Sequence, residues 1–364
     1  MFSRFPLPLR RAALLLLAAP LLLSACKKDD DVPPTPVVPG AMYVVNQGNF
    51  LRANAAVTSF DRASGTVVRD RFAAANPGFA LGDVAQSMTI VEGKGYIVVN
   101  NSNKVVVVTM VDFKQVAEIT GLAQPRYLAA YGTKGYVTEW GNTFGAAGRV
   151  SEINLATNTL TGRTFVVGVQ PEEIVATPTG VLVANSGGSS LTNLTLLTAP
   201  VSTDLPVPPG PTAVRLDNAG RVWVLCAGRI AYTPSFDVDT AASTPGALVS
   251  LPLANPSATS IRLFNRKGTV PASLVFSPDR TRLYYTYLGH LFAMNTTDAA
   301  LPRAALVRRG GSGFAALGVD PTDGTLYAAD QRNFTSDGRV LRYRPTGAVV
   351  DSFSTAVGPT QFVF

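Results

Sequence analysis

A single histidine, His290, stands in 364 residues. That scarcity leaves little room for imidazole-based triads and none for multi-histidine metal sites. No G-x-S-x-G elbow offers a nucleophile either. Cysteine is almost as rare. Cys26 falls in an N-terminal leader, so Cys226 has no partner and a disulfide framework is excluded. Within "VWVLC", Cys226 reads as a small buried hydrophobe. Charged residues make up 15% of the chain, and no Lys/Arg cluster interleaves with aromatics, so nucleic acid is not expected as a partner. A sustained 3.6-residue apolar period is also missing, which predicts almost no helix beyond the leader.

What is present begins with that leader. Arg4, Arg10 and Arg11 precede an apolar run, Ala12 to Leu23, that is too short for a comfortable membrane span. The run closes on "LSAC", which resembles a bacterial lipobox. The resemblance implies that residues 1–26 are a signal peptide and that Cys26 becomes the lipidated first residue. Each buried methylene holds by about 0.8 kcal/mol, so two or three acyl chains anchor where one does not. Residues 27–40, "KKDDDVPPTPVVPG", read as an extended, disordered tether. "CKKDDD" also resembles the export signal of Bacteroidetes lipoproteins that face outward from the outer membrane. Removing the leader takes three arginines and lowers the net charge from +7 to about +4.

The rest of the chain repeats itself. "MYVVNQGN" (42–49) returns as "YIVVNNSN", "YVTEWGN", "VLVANSGG", "VWVLCAGR", "LYYTYLGH" and "LYAADQRN", each a short β-prone run with a polar or small tip. Ahead of each run lies an anchor, at Ser87, Pro125, Pro171, Pro211, Pro271 and Phe314, with a seventh at Pro359. Anchor to tip has the length of strand, tight turn, strand, and "VEGKG", "YGTKG" and "DPTDG" supply such turns. Two more strands follow, as in "VLRYRPTGAVVDSF". Four antiparallel strands per unit predict an all-β β-propeller, whose ring leaves no long sheet edge exposed. Pro359 opens "PTQFVF" and the chain stops one strand later, while "MYVVNQGN" lacks a preceding strand. The C-terminal strand is therefore expected to close the ring inside the first blade. Residues 41–364 read as seven blades, with six or eight open because Arg229 to Val270 exceeds one blade's length.

These stretches also resemble a family. "YVVNQGNF", "SFDRASGTVVRDRF", "LGDVAQSM", "GYIVVNNSNKVVVV", "GLAQPRYL", "GYVTEW" and "VGVQPEEI" are similar to propeller lipoproteins of Bacteroidetes related to YncE-like and BtuG-type proteins. That resemblance implies surface capture of a corrinoid such as vitamin B12, handed to a TonB-dependent transporter. It weakens after Ala227, where "YTPSFDVDTAASTPGA" looks like an insertion.

In a propeller, inner strands start and second strands end on one face. Strand-end candidates for a ligand funnel there are Asn46, Asn100, Glu139, Asn185, Tyr287 and Asp330. Gln47, Asn101, Trp140 and Gln331 extend them outward, and Arg126 and Glu172 come from the inner strands. Strand-end Asn and Asp also serve turn backbones, a purely local role. As a ring, the mixture suits a polar, amide-rich ligand. Trp140 and Tyr287 could stack on a flat one, whereas Trp223 lies within a strand and reads as core. Two tryptophans are too few for the stacked-tryptophan layout of quinoprotein propellers. The expectation is a monomeric, non-enzymatic capture protein without a cofactor. An adhesion or scaffold propeller binding protein or glycan stays open. So does a calcium-dependent lactonase-type hydrolase using Asn46, Asn100, Glu139, Asn185 and Asp330 as oxygen ligands.

Overall fold

In the computed structural model, which describes residues 40–197, 199–309 and 313–364, seven sheets follow one another along the chain. The leader, Cys26 and all but the last tether residue lie outside the described residues. Blade 1 combines Ala41–Asn46, Ala56–Asp61 and Val67–Val68 with Pro359–Val363 from the chain's end. Blade 2 is Ala85–Val91, Lys94–Val99, Lys104–Thr109 and Gln115–Ile119. Blade 3 is Pro125–Tyr131, Lys134–Glu139, Ala147–Asn154 and Thr159–Val169. Blade 4 is Pro171–Thr177, Gly180–Asn185, Ser190–Thr195 and Val201–Pro206.

Blade 5 holds Pro211–Leu216, Arg221–Cys226, Pro245–Pro252 and Ser260–Lys267. The surplus length after Arg229 is a small hairpin, Ala231–Tyr232 with Val238–Asp239, set between its second and third strands. It adds no blade, so the count is seven. Blade 6 pairs Ala272–Phe276, Arg282–Tyr287 and His290–Asn295, and its fourth position is reduced to a single bridge from Leu291 to Val307. Blade 7 is Ala316–Val319, Leu326–Asp330, Arg339–Tyr343 and Val349–Ser354. Among the described residues, helix is confined to Arg71–Ala75 and one short 3-10 turn.

Each inner strand packs against the next, and the seventh against the first, so the ring is closed. The core is correspondingly divided into seven apolar clusters, one per seam between neighbouring blades. Second strands are therefore buried on both faces, which is why "YIVV", "VLVA" and "VWVL" are continuously apolar rather than alternating. Trp223 is fully buried in one of them, its indole N–H donating to the Asp217 carboxylate at 3.0 Å. Cys226 is buried too, and burial pushes its thiol up to about 12.

The start of the inner strand obeys a local rule. The preceding residue is left-handed in five blades: Val84, Gln124, Gln170, Gly210 and Gly358. In all five, its carbonyl accepts the backbone N–H of the residue just after the second strand: Gln47, Asn100, Trp140, Ser186 and Ala227. Blade 2 corrects the expected register. Its inner strand begins at Ala85 rather than at Ser87, and Val99, not Asn100, is the counterpart of Asn46 and Glu139.

The seam between blades 7 and 1, where the chain's two ends meet, is held by side chains as well as backbone. Phe60 stacks on Phe353 with ring centroids 4.4 Å apart, and the Arg342 guanidinium lies 4.8 Å over the Phe60 ring. Arg62 pairs with Asp320 at 2.5 Å. Burial pushes the Asp320 carboxyl up, but bonds from Arg62 and the Thr322 N–H outweigh it and hold the group below the usual carboxylate range. A carboxylate with a depressed folded pKa stabilises above its unfolded value, about 3.9, and loses that contribution as pH falls through the folded one. Asp320→Asn should therefore melt below wild type at pH 7, and the gap should close below about pH 4. A gap that is constant with pH in thermal melts would show that the pair carries no such linkage.

Candidate functional site

The face on which second strands end receives most of the sequence candidates, but the side chains divide among different jobs. Asn46 and Asn185 are fully buried and turn into their own blades. Asn46 Nδ2 donates to Thr58 Oγ1 at 3.0 Å and Asn185 Nδ2 to Thr192 Oγ1 at 2.9 Å, both on the adjacent third strand. Glu139 is also fully buried, gripped by both prongs of Arg149 at 3.0 and 2.8 Å and by Ser151 Oγ. Asp330 pairs with Arg309. The two acids are thus each bound to an arginine, and among the described residues no three His, Cys, Asp or Glu side chains gather to hold a metal.

Two amides join blades. Asn100 Nδ2 donates to the Pro125 carbonyl at 3.0 Å, and Gln331 Nε2 to the Pro359 carbonyl at 3.2 Å, each from one blade to the first inner-strand residue of the next. Asn101 bonds the Asp83 carboxylate. The Gln47 side chain packs over Gly358, where an added Cβ would meet it at 2.8 Å. Tyr287 leaves the funnel altogether. Its ring contacts Phe264 and Phe292 between blades 5 and 6, and its hydroxyl bonds Asn265 and Thr269. His290 Nδ1 accepts the Arg309 backbone N–H at 3.2 Å.

Arg126, Trp140 and Glu172 do converge. Arg126 forks onto Glu172 at 3.1 and 3.0 Å across the seam between blades 3 and 4, and its guanidinium lies 4.4 Å over the Trp140 ring. One face of that ring is therefore already covered. Burial raises the Glu172 carboxyl pKa, against the pull of Arg126, with the neighbouring Glu173 adding to the rise.

Glu173 belongs to a group that the sequence reading passed over. It pairs with Arg215 of blade 5 and accepts the Val214 N–H at 3.0 Å. Tyr127 accepts from Gln86 Nε2 at 3.1 Å and is kept protonated, first by burial and then by Glu172 and Glu173. Tyr127, Glu173, Arg215, Ser273 and Gln361 line a cavity of about 480 Å³ running along the inner strands of the channel. The reason they are there is a bulge. Register shifts between Pro125 and Leu128 and between Pro171 and Ile174 break alternation just after the anchor, so consecutive residues reach the axis. The doublets "RY" and "EE" directly after "QP" were the available signal.

Loop tips supply another missed feature. Phe50, Phe79, Phe144, Phe236 and Phe334 are all exposed, Phe144 to 88% and Phe236 to 87%. Every one lies in a loop on the strand-end face. The pattern of a lone Phe among Gly, Asn and Ser in "NQGNFLRAN", "NPGFALG", "GNTFGAAG" and "QRNFTSDG" was legible in advance.

A closed seven-bladed ring around a polar, charge-paired channel defines a β-propeller, with a mouth rimmed by aromatic tips. Residues 40–230, just over half of the chain, match the family described as Domain of unknown function (DUF5074), and the chain belongs to that family. It is similar to a quinonprotein alcohol dehydrogenase-like protein of Bacteroides thetaiotaomicron, at 15% identity and TM-score 0.67, covering 90% of this chain and 79% of that one. A functionally unknown protein of Desulfotomaculum acetoxidans is similar at 13% identity and TM-score 0.61, with 89% and 98% covered. AztD of Citrobacter koseri is similar at 11% and 0.57, with 88% and 97% covered. Identities this low speak for the fold alone. No curated protein matches the sequence.

Proposed function

We propose that the protein captures a polar small molecule at the axis of the propeller while lipidated at Cys26 on the outer face of the outer membrane. The observation that carries the reading is the channel cluster. Two guanidinium–carboxylate pairs, Arg126–Glu172 and Arg215–Glu173, stand with a protonated Tyr127 beside a cavity of about 480 Å³. Paired charges of both signs can exchange partners with a ligand's amides or carboxylates, and the further polar groups Ser273, Thr360 and Gln361 can fix its orientation. Tyr127 already accepts from Gln86, which leaves its O–H to donate.

Ala41–Asn46 ends on the strand-end face, so the chain enters blade 1 from the opposite one. The resemblance to B12-capturing lipoproteins makes a corrinoid the first ligand to test, with a TonB-dependent transporter as recipient. The exposed phenylalanine tips favour a second reading, in which the same face adheres to a protein or glycan.

Titration calorimetry with cyanocobalamin on the unacylated mature chain (Cys26→Ser) decides between them. One-to-one binding is expected, weakened about tenfold to a hundredfold in Arg126→Ala and in Glu173→Gln, since a bond to a charged group contributes about 1.5–3 kcal/mol. Absence of heat with the wild-type sequence rejects the corrinoid. Unaltered affinity in both variants rejects the channel.

A further inference from the structure

Among the described residues blade 6 has three strands rather than four, and beside the gap lies a second cavity, far from the axis. Where a fourth strand would cover the outer end of the seam with blade 5, a cleft of about 550 Å³ opens. Its floor is aromatic. Tyr285 stacks on Phe292 with centroids 5.7 Å apart, and Phe264 meets Tyr287 at 4.5 Å. Leu263 of blade 5 stands at the wall with 60% of its surface exposed.

The charged side chains that line this cleft are both arginines, Arg262 and Arg303. Arg303 is exposed at the rim and makes no ion pair among the described residues. Arg262 is half-buried over the Trp223 ring, and its guanidinium donates to the Asp298 carbonyl at 2.9 Å and to Ser250 Oγ, with no carboxylate within ion-pair distance. Burial and the neighbouring Arg221 lower its pKa, against the opposing pull of the nearby Asp298 carboxylate.

We propose that this cleft is a ligand site separate from the channel, taking a flat apolar molecule that carries one anionic group. The aromatic floor buries the flat body, and Arg303 with Arg262 meets the anion. A peptide strand completing the blade fits less well. Outward-facing backbone groups alternate along an edge strand. Leu291 is already bridged to Val307, and Asn295 is tied to Asp298, so Ala293 alone is left to pair.

The test uses 1-anilinonaphthalene-8-sulfonate, which has both parts, and its uncharged relative N-phenyl-1-naphthylamine, on the unacylated mature chain. One saturable sulfonate site is expected, with the neutral probe bound at least fivefold more weakly. Leu263→Lys, a change at an exposed position that the fold tolerates, should weaken both probes at least tenfold by filling the mouth. Arg303→Ala should weaken only the sulfonate and erase most of the difference between them. Sulfonate binding that survives Leu263→Lys unchanged would place the probe on the phenylalanine tips and overturn the proposal. A dimer in light scattering that Leu263→Lys dissolves, without probe binding, would overturn it in favour of a second copy of the chain.

Discussion

Deleting residues 359–364 is expected to abolish the cooperative fold or to lower its melting temperature by about 10 °C or more. The segment is the whole inner strand of blade 1, with Val363 opposite Tyr43 and Phe362 opposite Val44. Phe362 sits in the seam with blade 7, and both Phe362 and Phe364 contact the Tyr327 ring. Gln361 Oε1 accepts the Met88 N–H of blade 2 at 2.7 Å. Two phenylalanine side chains, if fully buried, contribute about 1.5–3 kcal/mol each. Against a total of about 5–15 kcal/mol that is a large share before any backbone bond is counted. Loss of the strand also exposes a bare edge at the axis. A rescue separates ring closure from mere loss of apolar area. Moving residues 358–364 to the front, joined to Met42 through an Asn-Gly turn, rebuilds the same pairing as a hairpin. Melting restored in that permutant, and lost in the deletion, is the expected pair of results. An undiminished melting temperature after the deletion would refute closure by this strand.

Closure was legible because it depends on pattern alone. An orphan strand at each end of the chain, and a second strand buried on both faces, leave signatures that survive any detail of side-chain contact. The channel was less legible, for a local reason. Reading alternation from the anchor selects Arg126 and Glu172 but skips Tyr127 and Glu173. Only the bulge after Pro125 and Pro171 brings the second pair to the axis. Blade 2 departs by two residues at the anchor and one at the strand end, since Ala85 does not advertise itself as the proline anchors do. Strand-end polarity misled in the other direction. Asn46, Asn185 and Glu139 are polar because the blade's own third strand or inner loop needs a partner there, and sequence spacing cannot tell that need from a ligand's. Tyr287 turns instead into the seam between blades 5 and 6, against Phe264 and Phe292, and its place at a strand end cannot tell a seam from a funnel.

Glu139 makes that distinction measurable. Its carboxylate is fully buried, and every contact it makes is internal: both prongs of Arg149, Ser151 Oγ and the Ala123 N–H. Those groups belong to the third strand of its own blade and to the loop that leads into the inner strand. Glu139→Ala strands several donors at once. Breaking a buried pair by removing one partner typically costs about 3–5 kcal/mol. At about 2.1 cal/mol/K per residue over the roughly 320 residues of the propeller, each kcal/mol shifts melting by about 1.5 °C, so a fall of about 5–7 °C is expected here. Arg149 is 41% exposed and can turn to water once released, so Glu139→Ala/Arg149→Ala should be less damaging than the two single losses added together. Glu139→Gln, which keeps the shape and loses the charge, should fall between Glu139→Ala and wild type. Ligand affinity, measured on whatever fraction stays folded, should be unchanged in all of them. A Glu139→Ala protein that melts like wild type yet binds its ligand more weakly would return this carboxylate to the binding site and remove it from the frame of blade 3.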